Sequence, residues 1–341
     1  MSGVFLFIFT CFWSTLVLCF DVDIGRDLWK QFESSRYPIV MGRVTRSEVV
    51  SHRGSKSTSY SAAIWYRYVL NDHSYDCERF RYVTSSSSYG WVTDLVNDHP
   101  VGSQVQVYFN PSDPADAVLS PDLEGGDLMI PLFLTPFNLI MLGFWAAIGG
   151  WLRERIFKPE AGGVKIIVDG PRTSVRLPEY GALVWCMVAM GVFSLLSIFV
   201  VGFATQFRPS MGVALLTLFL VIASGASAYF WQWRKIHSGE DDLIFDESTR
   251  TVGLPETHGR KTRITLTMAE IEKISVEVVE HHSSKGGTSY TYAPTLWTRR
   301  NQRIETEKLA DWSDQKRAEA FAEWLRQHMN MPVSGPPVIG N

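Results

Sequence analysis

Four long apolar runs decide what this chain can become. They are residues 3–20, 128–152, 180–203 and 212–233, and none contains Asp, Glu, Lys, Arg or His. A helix needs about 20 predominantly apolar residues to cross a bilayer, so each run is a candidate span. The first run has a second reading, as a signal peptide. It has no basic n-region and no small-x-small cleavage site, and Leu18 stands where a lipoprotein box wants a small residue. Residues 1–20 are therefore read as a retained N-terminal anchor, with cleavage as the alternative.

Orientation follows from the basic residues beside the spans. The loop 153–179 carries Arg153, Arg155, Lys158, Lys165, Arg172 and Arg176, and Arg234 and Lys235 follow the last run. The short loop between the third and fourth runs has only Arg208. Residues 153–179 and 236–341 are thus expected in the cytoplasm, and residues 21–127 outside. That outer segment has ten basic and fifteen acidic residues, a net of −5. Trp145, Trp151, Tyr180, Tyr229, Trp231 and Trp233 lie near span ends, where interfacial aromatics belong.

Composition agrees. The chain is 46% hydrophobic with twelve Trp, yet its mean hydropathy is near zero, because the apolar residues are clustered. A net charge of −3 over 341 residues gives no field to attract nucleic acid. Cys11, Cys19 and Cys186 lie in the runs. Cys77 stands alone in 21–127, so that segment has no internal disulfide, and no Cys/His spacing suits zinc.

Residues 21–127 read as mostly β. Residues 40–50 and 62–70 have strand chemistry, Asn71-Asp72-His73 turns the chain, and 75–83 is the expected return strand. Residues 85–102 suggest a loop with a short helix. Val105, Val107 and Phe109 alternate, and Asn110-Pro111-Ser112-Asp113-Pro114 then ends the strand in a turn and starts Ala117-Val118-Leu119 as the next. Asn110 and Asp113 are read as turn residues, since no base or nucleophile accompanies them.

These residues carry a resemblance. Tyr37-Pro38, Gly42 and Val44 open the domain, and Ile64-Trp65-Tyr66-Arg67-Tyr68 follow a polar tip at 51–61. Val105, Val107, Tyr108, Asn110-Pro111, Asp113-Pro114 and Ala117-Val118-Leu119 close it, with Phe109 beside Tyr108 as the one departure. Residues 36–120 thereby resemble the bacterial membrane family catalogued as domain of unknown function 3592. The resemblance implies a small extracytoplasmic β-domain beside membrane spans, and brings no catalytic residues with it.

The cytoplasmic parts contain an echo. KIIVDGPRTSVRLP (165–178) aligns without a gap on DLIFDESTRTVGLP (242–255), matching Ile167 with Ile244, Asp169 with Asp246 and Val175 with Val252. Each is a strand, a turn and a returning strand stopped by Pro. Either the two hairpins share one β-layer, or the match is the coincidence that any two short hairpins allow. A lone hairpin is marginal in water, which favours a shared sheet. Residues 264–280 read as two strands around a polar step, and 281–292 as a polar tip. Residues 313–329 read as a helix capped by Ser313, with Ala318, Phe321, Leu325 and Met329 on one face. Strands closed by one amphipathic helix suggest a pleckstrin-homology-like (PH-like) module over 236–332, and 333–341 reads as a disordered tail.

The expected architecture is therefore a four-span α-helical membrane protein with β-rich soluble parts. One is a small extracytoplasmic β-sandwich or barrel-like domain. The other is a cytoplasmic sheet module with one C-terminal helix.

A search for chemistry yields no catalytic, cofactor or metal residues. His281 and His282 are neighbours on a strand and point to opposite faces. Ser85–Ser88 lack a nucleophile elbow. Gly162-Gly163 precede no G-K-[ST]. Arg299, Arg300 and Arg303 suit lipid headgroups, but Glu305 and Glu307 follow directly and favour a solvated hairpin. The reading is a non-enzymatic binding, sensing or assembly protein of a bacterial inner membrane. Its expected partners are membrane lipid and other membrane or envelope proteins, with no nucleic acid. A small transporter or channel component is the alternative, weakened by spans without ionisable residues. So is a surface enzyme, which would be sought at His52, His73 or His99.

Overall fold

The structure, a computed structural model, describes residues 3–53, 58–83, 89–156, 160–177, 181–257, 259–282, 288–300 and 303–331. The serine run 85–88 and the tail 333–341, expected as a loop and as disorder, lie outside them. So do the centres of the two polar tips, 54–57 and 283–287.

Two compact units share the chain. One comprises Phe7–Leu142 and Met190–Ala223, and the other Met1–Leu6, Gly143–Ala189 and Ser224–Asn341. Each of the four long helices contributes residues to both.

The first unit holds a β-domain and parts of all four helices. Helix α1 (Gly3–Ser34) runs well past the expected end at residue 20 and stops ahead of Pro38. Strands β1 (Ile39–Arg53), β2 (Thr58–Leu70) and β3 (His73–Cys77) form a meander. After helix α2 (Tyr89–Asp98), strands β4 (Gln104–Asn110) and β5 (Asp113–Val118) complete an antiparallel sheet of order β3-β2-β1-β4-β5. Asn71 and Asp72 both have positive φ, the geometry of a two-residue hairpin turn. Gly42 is required because a Cβ there would stand 2.7 Å from Val107. Along β2, Ile64, Tyr66 and Tyr68 are buried while Trp65 and Arg67 face out, the alternation a half-buried strand imposes.

The edge strands β3 and β5 approach each other, so the domain is barrel-like rather than a sandwich. Side chains bridge the edges. Cys77 Sγ donates to the Ala115 carbonyl at 3.1 Å, Tyr68 donates to the Pro114 carbonyl, and Tyr66 Oη lies 2.9 Å from the carbonyls of both Ala117 and Arg79. The return strand stops at Cys77, short of the expected 83. Beyond it the backbone bonds outside the sheet: Gln31 of the distant α1 takes the N–H groups of Tyr82 and Val83 on its Oε1.

Helices α3 (Gly125–Ile156), α4 (Ala182–Ser197, continued by a π-helical turn Ile198–Gly202) and α5 (Met211–Ser238) follow. With α1 they are four helices long and apolar enough to cross a membrane. Pro136 inside α3 lacks the N–H that would bond the Leu132 carbonyl. Ser194 of α4, fully buried, donates to that same carbonyl at 2.7 Å. In a lipid environment a freed backbone group must find such a partner.

The second unit is built on a split β-module. Strands β6 (Lys165–Asp169) and β7 (Arg172–Arg176) precede α4. Strands β8 (Asp242–Asp246), β9 (Thr251–Leu254) and β10 (Ile264–Thr267) follow α5. All five form one antiparallel sheet, β10-β9-β8-β7-β6, in which Val175 of β7 faces Leu243 of β8. The echoed hairpins are thus neighbours, as a shared β-layer requires. Their turns differ: β6 and β7 are joined through Gly170-Pro171, whereas β8 and β9 are joined through Glu247–Arg250. Val175 is buried as expected. Ile166, not Ile167, is the β6 residue that packs on the core.

Strands β11 (Ile271–His282), β12 (Thr288–Arg300) and β13 (Arg303–Lys308) form a second sheet. Helix α6 (Gln315–His328) covers it. Its N-cap is Asp314, whose carboxylate accepts from the Lys316 N–H at 2.9 Å, and not the expected Ser313. Ala318, Phe321 and Leu325 are fully buried against Val175, Leu243, Phe245 and Leu296. Burying each Phe or Leu side chain stabilises by about 1.5–3 kcal/mol.

Candidate functional site

The residues weighed from sequence do not converge. Asn110 Oδ1 accepts from the Ser112 N–H at 2.9 Å and Asp113 Oδ1 from the Ala115 N–H at 3.3 Å, so both serve the β4–β5 turn. His73 and His99 bond local carbonyls, Asn71 and Leu95 respectively, each at 2.9 Å. His52 lies on β1 with its side chain outside the described set. His281 bonds Thr291 Oγ1 at 2.9 Å across the β11–β12 ladder, and His282 pairs with Thr288. Among the described residues no three of His, Cys, Asp and Glu gather as a metal set.

Gly162-Gly163 has a packing role. A Cβ on Gly162 would stand 2.4 Å from the Arg317 carbonyl, and Arg317 Nε donates to the Gly162 carbonyl at 2.6 Å, so the glycine lets this segment lie against α6. Arg299 pairs with Glu272 at 2.6 Å, and Arg300 donates to the Thr265 carbonyl at 3.3 Å. Glu307 does not neutralise this hairpin, because Arg260 holds it at 2.9 Å.

What sequence reasoning missed is a cleft in the first unit. It measures about 740 Å³ and lies between the β-domain and the start of α3. Its apolar wall is Met129, Ile130 and Phe133 of α3 with Ile198 of the π-helical turn. Its polar rim is Arg81, Glu124, Asp127 and Arg208. Small-molecule sites span about 300–1,000 Å³ and combine an apolar lining with a few placed polar groups, which is this arrangement.

Local sequence explains each part. Arg81 is only 8% exposed. It bonds Asp127 at 2.8 Å, Glu124 at 2.7 Å and the Asp122 carbonyl at 2.8 Å. These use both terminal nitrogens, and the buried Nε–H is left with no hydrogen-bond partner among the described residues. Asp127 also accepts from the Glu124 N–H at 2.8 Å, closing the first turn of α3. Gly125 and Gly126 admit the loop before α5: a Cβ on Gly125 would stand 2.3 Å from the Pro209 carbonyl. That loop holds Gln206 and Phe207 at positive φ, a conformation costly for residues with a Cβ. It places the Arg208 guanidinium 3.5 Å from the ring centre of Trp91. Burial pushes the Arg208 guanidinium below its ordinary value, while Glu124 pulls it back up.

The sequence did carry signals for this site. Arg81 is the last basic residue before the second apolar run, Asp122-Leu123-Glu124-Gly125-Gly126-Asp127 leads into that run, and Arg208 is the lone base between the last two runs. Nothing in their spacing brings them together, because three separate segments supply them.

Helix α1 is bound to the same domain. Gln31 is fully buried and donates to the carbonyls of Ser120 at 2.8 Å and Asp122 at 3.3 Å, besides accepting from Tyr82. Ser34 lies within hydrogen-bond distance of the Pro121 carbonyl at 3.0 Å. Burial raises Tyr66, Tyr68 and Tyr82 above the ordinary phenol range.

Residues 40–124 match the family model described as Domain of unknown function (DUF3592), close to the 36–120 expected from the motifs. No curated protein and no solved structure matches the chain.

Proposed function

We propose that this is a non-enzymatic multi-pass membrane protein that binds at the β-domain cleft and reads the event out through its split β-module. The observation that carries the reading is the β7–β8 ladder, which makes one module from segments on either side of α4 and α5. If α4 and α5 both cross the bilayer, two crossings return the chain to the same side, as that ladder demands. α3 then puts residues 39–118 on the opposite side. The basic residues of 153–179 and after α5 support a cytoplasmic module and an extracytoplasmic β-domain. A bacterial inner membrane fits this arrangement. Two antiparallel sheets closed by α6 support a PH-like reading of the module. The partners of such a protein would be membrane lipid and other membrane or envelope proteins.

Cysteine accessibility in intact cells tests the scheme. A cysteine at Ser238 should be protected from an impermeant thiol reagent, and one at Asp72 should react. Labelling at Ser238 would refute the topology, and with it the readout.

One observation favours a second reading, a small transporter component. Asn138, inside α3, donates to Asp21 Oδ1 at 3.0 Å, which draws a carboxylate against a membrane-length helix. Ionisable groups in such positions mark ion or proton paths. Asp21→Asn would abolish a proton-coupled flux in reconstituted vesicles on this reading, and would change no flux on the first.

A further inference from the structure

We propose that the cleft binds one zwitterionic phospholipid, with a phosphate and a primary ammonium in its head and an acyl chain along α3. The inference rests on the membrane reading above and names the ligand of that same cleft.

Four observations lead to it. First, the walls divide by chemistry: apolar Met129, Ile130, Phe133 and Ile198 on one part, charged Arg81, Glu124, Asp127 and Arg208 on the other. A ligand that fills both is an amphiphile. Second, Phe133 is 51% exposed and sits on a helix apolar enough to cross a bilayer, so the apolar part opens sideways onto the surface that lipid tails cover. Third, the rim is electrically balanced, with two guanidinium groups and two carboxylates. A singly charged anionic head would leave Glu124 facing it, whereas a zwitterion meets both signs. Fourth, Arg81 and Arg208 both line the cleft, so a phosphate seated there meets two guanidinium groups. Glu124, with its side chain 55% exposed, is the carboxylate open enough to take the ammonium. Arg208, held over Trp91, supplies the second donor group for the phosphate.

The test uses the full-length chain purified in detergent, with native mass spectrometry counting bound lipid. The probes are phosphatidylethanolamine, phosphatidylglycerol of matched chains, and phosphoethanolamine without chains. One phosphatidylethanolamine per chain should survive the detergent concentration that strips other lipid. Phosphatidylglycerol should bind about tenfold more weakly, the scale of one hydrogen bond to a charged group. Chain-free phosphoethanolamine should not be retained, which separates a lipid from a soluble phosphate. Ala62→Trp, which fills the cleft from β2, and Arg208→Gln should each reduce retention by about tenfold or more. Glu124→Gln should erase the preference for phosphatidylethanolamine. Wild-type chains that retain both lipids alike, or retention unchanged by Ala62→Trp, would overturn the proposal even if either charge variant failed to fold. Release of the chain from membranes by an alkaline wash would instead refute the membrane reading, so the two failures are distinguishable.

Discussion

Arg176 holds Asp242 through two parallel hydrogen bonds of 3.1 Å, Nε to Oδ1 and Nη2 to Oδ2. The first residue precedes α4 and the second follows α5, so this pair joins the two segments of the module. Asp242 is nearly buried, and such a carboxylate left unpaired is costly. Arg176→Ala should destabilise the module by about 2 kcal/mol, the scale of hydrogen bonds to a charged group. The exchange Arg176→Asp with Asp242→Arg should recover part of the loss in denaturant melts. Equal losses in the single and exchanged variants would show that the pair does not act as a unit.

Ser194 and Pro136 form a similar dependence inside the helices. Ser194→Ala removes the donor from a carbonyl that Pro136 has freed, with an expected cost of about 1 kcal/mol. Pro136→Ala restores the helical N–H for that carbonyl. In the Pro136→Ala background the same serine replacement should therefore cost little. Additive losses in thermal melts would contradict the account.

The buried phenols give a spectroscopic prediction. Burial raises Tyr66, Tyr68 and Tyr82 above the ordinary value near 10. Their folded-state values lie above the unfolded one, so their contribution to stability is complete below about pH 10 and is lost as pH rises further. An ultraviolet titration of the folded chain should show fewer ionising tyrosines than the twelve present, with the remainder appearing only on unfolding. Full ionisation in a chain that keeps its β-sheet circular dichroism would count against the buried Tyr66–Tyr68 core.

Asp246 titrates in the other direction. The Ser248 hydroxyl and the Arg172 guanidinium, with the N–H groups of Thr249 and Ser248, hold its carboxyl at about 2. Its folded value lies below the unfolded one, so the contribution is present above about pH 4 and is lost as pH falls from there toward 2. Asp246→Asn should flatten the acid limb of the stability profile in that window. An unchanged limb would mean that the turn between β8 and β9 does not hold the carboxylate.

Periodicity and turn chemistry made much of this fold legible. The alternation of Val105, Val107 and Phe109 gave the core-facing side of β4, and the prolines of 110–114 gave the β4–β5 turn. Two hairpins that could not stand alone implied the shared sheet. Three things were hidden, two of them because they depend on distant partners. Helix α1 continues to Ser34, and β3 ends at Cys77, because Gln31 bonds backbone groups some fifty and ninety positions away. Asp314 caps the helix in place of its neighbour Ser313, through the bond its carboxylate accepts from the Lys316 N–H. Adjacent Ser and Asp are both good caps, and sequence alone does not choose between them. The cleft draws Arg81, Glu124 and Arg208 from segments that only the folded β-domain and helix ends bring together.

The most direct measurement of the central claim is a disulfide between residues 174 and 244. Ser174 of β7 and Ile244 of β8 are register partners. Opposed residues of an antiparallel pair have Cα atoms about 4.5–5.5 Å apart, within the reach of a disulfide. Cysteines at these two positions go into a chain whose four native cysteines are replaced by alanine, with a protease site at 178–180. After oxidation in native membranes and cleavage, the account predicts that the two fragments stay joined until reductant is added. Fragments that separate without reductant, in chains that melt like the wild type, would contradict a single module built across α4 and α5.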